Sequence, residues 1–250
     1  MDVTHAVLIG AAALTAGAVN AIAGGGSLIT FPVLLASGLP AVTASMTNTV
    51  AMCPGYFGAT LAQRRDLEGQ GGRAARLVPL SLAGSLTGAW ILLHTTERSF
   101  QTIVPFLLLF AAGLLAAQGT LRRRLAQHTR GGHSMTFAIL PVALSAIYGA
   151  YFGAGMGVII LAILAVVIDD SLARANALKQ LLSLIINTCA AVVFLFVGHV
   201  DWPVAIVIAI SSLVGGLLGG RLATKIPEAL LRWLAILIAL AVAGVYFARL

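Results

Sequence analysis

Charge is scarce in this sequence. Asp, Glu, Lys and Arg make up 9% of the 250 residues, against roughly a quarter in an ordinary soluble domain. None occurs from Val3 to Gln63, Leu77 to Thr96, Ser99 to Leu121, Gly131 to Ile168, Leu181 to Val200, Trp202 to Gly220 or Trp233 to Ala248. Hydrophobic residues reach 60%, so a soluble fold of this composition would precipitate. A helix that crosses a bilayer needs about 20 apolar residues, and each uncharged run is a candidate for one or more crossings. Other absences narrow the function. The two cysteines, Cys53 and Cys189, lie inside apolar runs and give neither a disulfide framework nor a metal spacing. His5, His94, His128, His133 and His199 fall near helix ends or in loops, which leaves Ser27 without a base at its depth and a zinc enzyme without its ligand cluster. No cofactor is implied. No acidic residue falls in the middle of a predicted span, so the usual Asp or Glu proton relay is missing. The start, Met1-Asp2-Val3-Thr4-His5, lacks a positive n-region and its hydrophobicity runs on far past an h-region, so it reads as a retained segment.

What charge there is adds up to +7 and is gathered in three places. Arg64, Arg65, Arg73 and Arg76 form one group, Arg122, Arg123, Arg124 and Arg130 a second, and Arg221, Lys225 and Arg232 a third. Basic residues set between hydrophobic segments mark cytoplasmic loops. Nucleic-acid binding would instead gather them on one face of a soluble domain, and no nucleic-acid partner is expected. The expected setting is the cell (inner) membrane, crossed many times, with the lipid bilayer, a small anion and a second copy in a homo-oligomer as the partners.

The chain reads as two repeats. Ser81-Leu-Ala-Gly-Ser-Leu-Thr-Gly-Ala89 is echoed by Ser212-Leu-Val-Gly-Gly-Leu-Leu-Gly-Gly220, and at the same offset Glu97 falls on Glu228 and Gly113 on Gly244. At slightly different offsets Asn48 falls on Asn176 and Asp66 on Asp201. The expected division is a first transmembrane repeat over 1–118, a basic cytoplasmic linker over 119–134 and a second repeat over 135–250. Hydropathy predicts helices near 5–23, 26–37, 41–62, 77–93 and 101–118, then near 136–152, 157–168, 172–198, 203–220 and 231–248. The fold class is thus an all-α polytopic membrane protein of eight to ten membrane segments, with about five helical elements per repeat. The second element of each half is too short to span comfortably and reads as a half-helix or re-entrant segment. An odd number of elements turns the second half upside down, and the basic loops agree with such an inverted topology.

Inside the longest uncharged run lies Asn20-Ala-Ile-Ala-Gly24-Gly25-Gly26-Ser27. Three successive glycines break a helix and open backbone N–H groups, which is tolerated at membrane depth where the backbone is buried in protein or lines a cavity. The helix starting at Ser27 would turn its N-terminus, with its partial positive charge, toward an anion. Gly153, Gly155 and Gly157 take the matching place in the second half. Close packing through small residues is the competing reading, and it suits Gly84, Gly88, Gly215 and Gly219 better. Thr47-Asn48-Thr49 is matched by Asn176 followed by Lys179 and Gln180, polar groups that are costly at depth unless satisfied. Asn48 either bonds a neighbouring helix or faces the pathway, and Lys179 either contacts the anion or snorkels to the surface. Because an anion leaving a negative interior gains roughly 2.3 kcal/mol per charge per 100 mV, export could run without coupling. The alternatives to a transporter are an anion channel, an intramembrane enzyme and a structural membrane subunit.

Gly24-Gly25-Gly26-Ser-Leu-Ile-Thr-Phe-Pro32, then Gly38-Leu-Pro40, Thr47-Asn48 and Arg64-Arg65, resembles the sulfite exporter TauE/SafE family. Asn176, Lys179, Asn187, Phe194, Gly198 and Trp202 resemble its second repeat, so the likeness covers nearly the whole chain. It implies a two-repeat transporter of sulfite, sulfoacetate or other small sulfur-containing organic acids. Carried over by position, Gly24, Gly25, Gly26, Thr47, Asn48, Lys179 and Asn187 become pathway residues. The chain departs from an even distribution at Gly153–Gly157, which is less glycine-dense than the first break.

Overall fold

The computed structural model describes residues 3–128, 135–168, 170–222 and 228–247, and the regular elements among them are helices. The first half holds α1 (Val3–Ile22), α2 (Ser27–Ala36), α3 (Ala41–Ala62), a 3-10 turn at Arg64–Leu67, α4 (Gly71–Leu93) and α5 (Glu97–His128). The second holds α6 (Thr136–Tyr151), α7 (Met156–Val167), α8 (Leu172–Val197), α9 (Trp202–Leu222) and α10 (Glu228–Phe247). Five of them, α1, α4, α5, α8 and α9, are long and apolar enough to cross a membrane. α2 and α7, with 10 and 12 residues, reach only about 15 and 18 Å at 1.5 Å per residue, half of a hydrocarbon core about 30 Å thick.

Two boundaries differ from the hydropathy reading. α4 starts at Gly71 rather than near 77, and α5 runs on to His128 rather than ending near 118. Arginine is a good helix former, so Arg73, Arg76 and Arg122–Arg124 prolong helices past the apolar run instead of forming loop. Residues 119–128 of the expected linker are therefore helix, while 129–134 lie outside the described residues.

The bundle turns its greasy side chains outward. Trp90, Phe137, Leu140, Phe196 and Ile210 are more than half exposed, while Asn20, Asn48, Lys179, Gln180 and Asn187 are buried. In water that arrangement would be an aggregation surface around a costly core. In lipid it is the stable one.

Each half's fourth helix lies against the other half's first: α9 packs along α1, and α4 along α6. Glycine lets the backbones touch. A Cβ on Gly17 would sit 2.4 Å from Ser212 O, on Gly215 2.0 Å from Leu14 O, on Gly84 2.4 Å from Ala143 O and on Gly88 2.2 Å from Ile147 O. Along their contact α3 and α8 run in opposite directions, since Asn176 early in α8 meets Gln63 just past α3 and Gly198 just past α8 meets Met46 early in α3. α5 and α10 do the same, through Gly119 with Arg232 and Phe106 with Phe247.

Three of the five pairs of helix starts share one spacing. Ala41 and Leu172, Gly71 and Trp202, and Glu97 and Glu228 each lie 131 positions apart, the offset of the Ser81 and Ser212 echo. At that offset Asn48 matches Lys179 and Gly26 matches Gly157.

Candidate substrate site

α1 ends because the chain turns at Gly24, whose φ of +87° is strained for any side chain. A helix that stops leaves its last carbonyls without partners. Here, side chains from two other helices and from Gln63, just past α3, take them up. Asn20 O accepts from Lys179 Nζ at 3.1 Å and Gln180 Nε2 at 2.8 Å, both on α8. Ala21 O accepts from Asn176 Nδ2 at 3.1 Å and Gln63 Nε2 at 3.3 Å, and Ala23 O from Gln118 Nε2 on α5 at 3.1 Å. A cation at a helix C-terminus is also favoured by the helix dipole. Lys179 therefore does not snorkel: it is 1% exposed.

The opposite side of the break is built from α2 and α3. Gly26 N donates to Asn20 Oδ1 at 2.9 Å, which fixes the start of α2 at Ser27 as expected. Asn48 Nδ2 donates to Ser27 Oγ at 3.1 Å, while Thr30 Oγ1 donates to Asn48 Oδ1, so Asn48 clamps the first turn of α2.

The two breaks meet. A Cβ on Gly24 would lie 2.9 Å from Gly157 C, and one on Gly157 would lie 2.9 Å from Gly24 Cα and 3.3 Å from Lys179 Cδ. Gly153 and Gly155 hold φ of +83° and +82°, and the Tyr148 hydroxyl donates to Ala154 O within that turn. Gly25 faces the Leu115 side chain and Gly26 faces Ala16 O.

Of the residues singled out in the sequence, Asn20, Gly24, Gly26, Ser27, Asn48, Gly157, Lys179 and Gln180 come together around the breaks, and Asn176 joins them one turn earlier on α8. Asn187 lies two turns beyond Lys179; its Nδ2 donates to Ser183 O, and the Tyr56 hydroxyl lies between it and Asn20. Thr47 is elsewhere, accepting from Asp201 N at 3.0 Å near the loop between α8 and α9. Asn176, Lys179, Gln180, Ser183 and Asn187 are spaced to share one face of α8. Tyr56, Gln63, Gln118 and Ser183 were not foreseen, and their only signal was a polar group in or beside an apolar run.

Polar latches close both ends of the bundle. At one end Glu97 caps α3 by accepting from Ala41 N and Val42 N. At the other, Asp170 Oδ2 lies 2.8 Å from both Arg73 Nη1 and Arg174 Nε, and Arg174 Nη2 donates to Glu68 O. The Arg73 hydrogen bond above all holds the Asp170 carboxyl down at about 2. At this end too, Arg64, Arg65 and Arg221 line one groove of about 330 Å³ with Leu61 and Ala62.

Outward apolar faces around an internal polar cluster, set where two helices are broken, define an α-helical integral membrane protein. The chain belongs to the sulfite exporter TauE/SafE family, which it matches over residues 9–246, and it is a membrane transporter of that family. It is 25% identical over 227 residues to the probable membrane transporter protein YfcA of Escherichia coli strain K12, covering 90% of this chain and 83% of that one. It is 28% identical over 235 residues to the probable membrane transporter protein ORF9 of a Sinorhizobium species, covering 93% and 88%. A probable membrane transporter protein of Haemophilus influenzae is 27% identical over 226 residues, with 86% and 83% covered. No solved structure matches the chain.

Proposed function

We propose that this transporter exports a small anion, sulfite or a sulfonated organic acid of the sulfoacetate kind, across the inner membrane through the cluster around Lys179. The observation that carries the reading is that Lys179 is the one charged side chain buried among the described residues. It lies seven residues into α8, about 10 Å along the helix, and none of the chain's eight carboxylates falls in the middle of a span. The relatives are named only as probable membrane transporters, so the sulfur chemistry rests on the family's description.

The two halves act as an inverted repeat with 119–134 between them. The opposed runs of α3 against α8 and of α5 against α10 support this, as does the exchange of first and fourth helices. Gln180 and Ser183 have no measurable exposure, so substrate reaches them only if helices move, which favours a carrier over an open channel. The test is flux into proteoliposomes against sulfite, sulfoacetate, sulfate and acetate. Saturable flux of sulfite or sulfoacetate is expected; equal flux of all four, or ohmic current that does not saturate, overturns the reading.

A further inference from the structure

Three groups that meet at Asn20 have fixed hydrogen-bonding roles. Asn20 O is a carbonyl and can only accept, so the Gln180 atom 2.8 Å from it must be the amide nitrogen. That fixes Gln180 Oε1 on the other side as an acceptor. Gly26 N can only donate, so the Asn20 side-chain atom 2.9 Å from it must be the oxygen, and Asn20 Nδ2 is fixed as a donor. Gln180 Oε1 has no partner among the described residues, and the Ser183 hydroxyl, one turn along α8 from both Lys179 and Gln180, has none either, while Asn20 Nδ2 has only the Tyr56 hydroxyl near it. All three residues are at most 1% exposed. Lys179 Nζ reaches the same Asn20 carbonyl at 3.1 Å. Around the end of α1 a cationic donor, a neutral donor, a hydroxyl and the Gln180 acceptor are therefore gathered, with two further unpartnered acceptors, Asn176 Oδ1 and Gln118 Oε1, at the neighbouring carbonyls.

A bare anion can satisfy the donors of this set but not its acceptor, because it has no hydrogen to give. We propose that, among the small oxyanions and sulfonates, the site prefers one that also carries a hydroxyl donor, and that Gln180 makes the distinction by accepting from that hydroxyl. This deepens the anion-export reading and rests on it. A site built to bond a substrate hydroxyl discriminates strongly against the analogue that lacks it, because its own buried polar group is left unpaired.

The experiment compares isethionate with ethanesulfonate, two monoanionic sulfonates of similar size that differ by one hydroxyl. Flux of each is measured in proteoliposomes holding wild type, Gln180→Leu or Lys179→Met. Wild type should favour isethionate by roughly tenfold or more. Gln180→Leu should bring that ratio to near one while still moving ethanesulfonate, and Lys179→Met should depress both. The ratio within one preparation does not depend on how much protein has folded. If Gln180→Leu cannot be purified, thermal unfolding of the wild type decides, with isethionate raising Tm more than ethanesulfonate at equal concentration. A wild-type ratio near one, or a preference that survives in Gln180→Leu, overturns the hydroxyl proposal alone. Wild type that moves neither sulfonate nor sulfite overturns the anion reading beneath it.

Discussion

Replacing Lys179 by methionine separates the structural work of this side chain from its work on substrate. Structurally little is lost, since Asn20 O keeps its bond from Gln180 Nε2 at 2.8 Å and the end of α1 stays capped. An ammonium–carbonyl hydrogen bond is worth about 1.5–3 kcal/mol, and burying one ion costs several kcal/mol, so the variant should unfold at the parent's temperature or above it. Binding is another matter. Removing a charge-assisted hydrogen bond to the anion forfeits about 1.5–3 kcal/mol, which is roughly 10- to 150-fold in affinity at 1.4 kcal/mol per factor of ten. Purified Lys179→Met in proteoliposomes should show that loss in initial sulfite flux, with Arg98→Met, an exposed residue at the start of α5, close to the parent. Lys179→Arg should keep part of the flux, because the charge remains while its planar fork must fit beside Gly157, where an added Cβ would lie only 3.3 Å from Lys179 Cδ. Flux within about twofold of the parent, in a protein that is folded and inserted, would refute the reasoning and reduce Lys179 to a helix cap.

Gly88→Ala should impair folding more than Gly113→Ala, measured as Tm in detergent, because a Cβ at Gly88 meets Ile147 O at 2.2 Å while nothing stands within 4 Å at Gly113. Alanine at Gly113 should be neutral or raise stability by up to about 1 kcal/mol. Asp170 titrates at about 2 rather than its ordinary 3.8, so its latch stabilises fully above pH 3.8 and is lost as pH falls toward 2. Wild type should therefore lose Tm across that window by more than Asp170→Asn does. Cysteines placed at Arg65 and Arg221, which share a groove, should both resist an impermeant thiol reagent applied to intact cells, and strong labelling of either would reverse the orientation.

Much of the fold was legible because its physics is local. The helix over 41–62 can be read from an uncharged run bounded by Gly38-Leu-Pro40 and Arg64-Arg65, and the structure places α3 at Ala41–Ala62. Where the bounding signal was charge alone, the reading fell short, as at Gly71 and His128, since arginine ends an apolar run without ending a helix. Packing through Gly84, Gly88, Gly215 and Gly219 followed from spacing. The pairing of Asn48 with Asn176 followed residue identity, whereas the 131-residue spacing of three helix starts pairs Asn48 with Lys179. The polar members of the candidate cluster could be named one by one; what they touch could not. That Lys179, Gln180, Asn176, Gln63 and Gln118 all serve the loose carbonyls of one helix end depends on contacts across as many as 160 residues, which no local pattern carries.

The touching backbones of Gly24 and Gly157 also set a problem of timing. The two glycines lie 133 positions apart in the chain, roughly 7 to 27 seconds of synthesis at about 5–20 residues per second. For that interval the first half sits in the membrane with an open notch, its counterpart still unmade. Hydrocarbon cannot cover such a notch, because lipid tails offer no hydrogen bonds to bare peptide groups. The nascent first half must therefore wait beside water, a headgroup or the insertion machinery, and the arrival of α7 and then α8, whose side chains cap the end of α1, is what releases it into lipid.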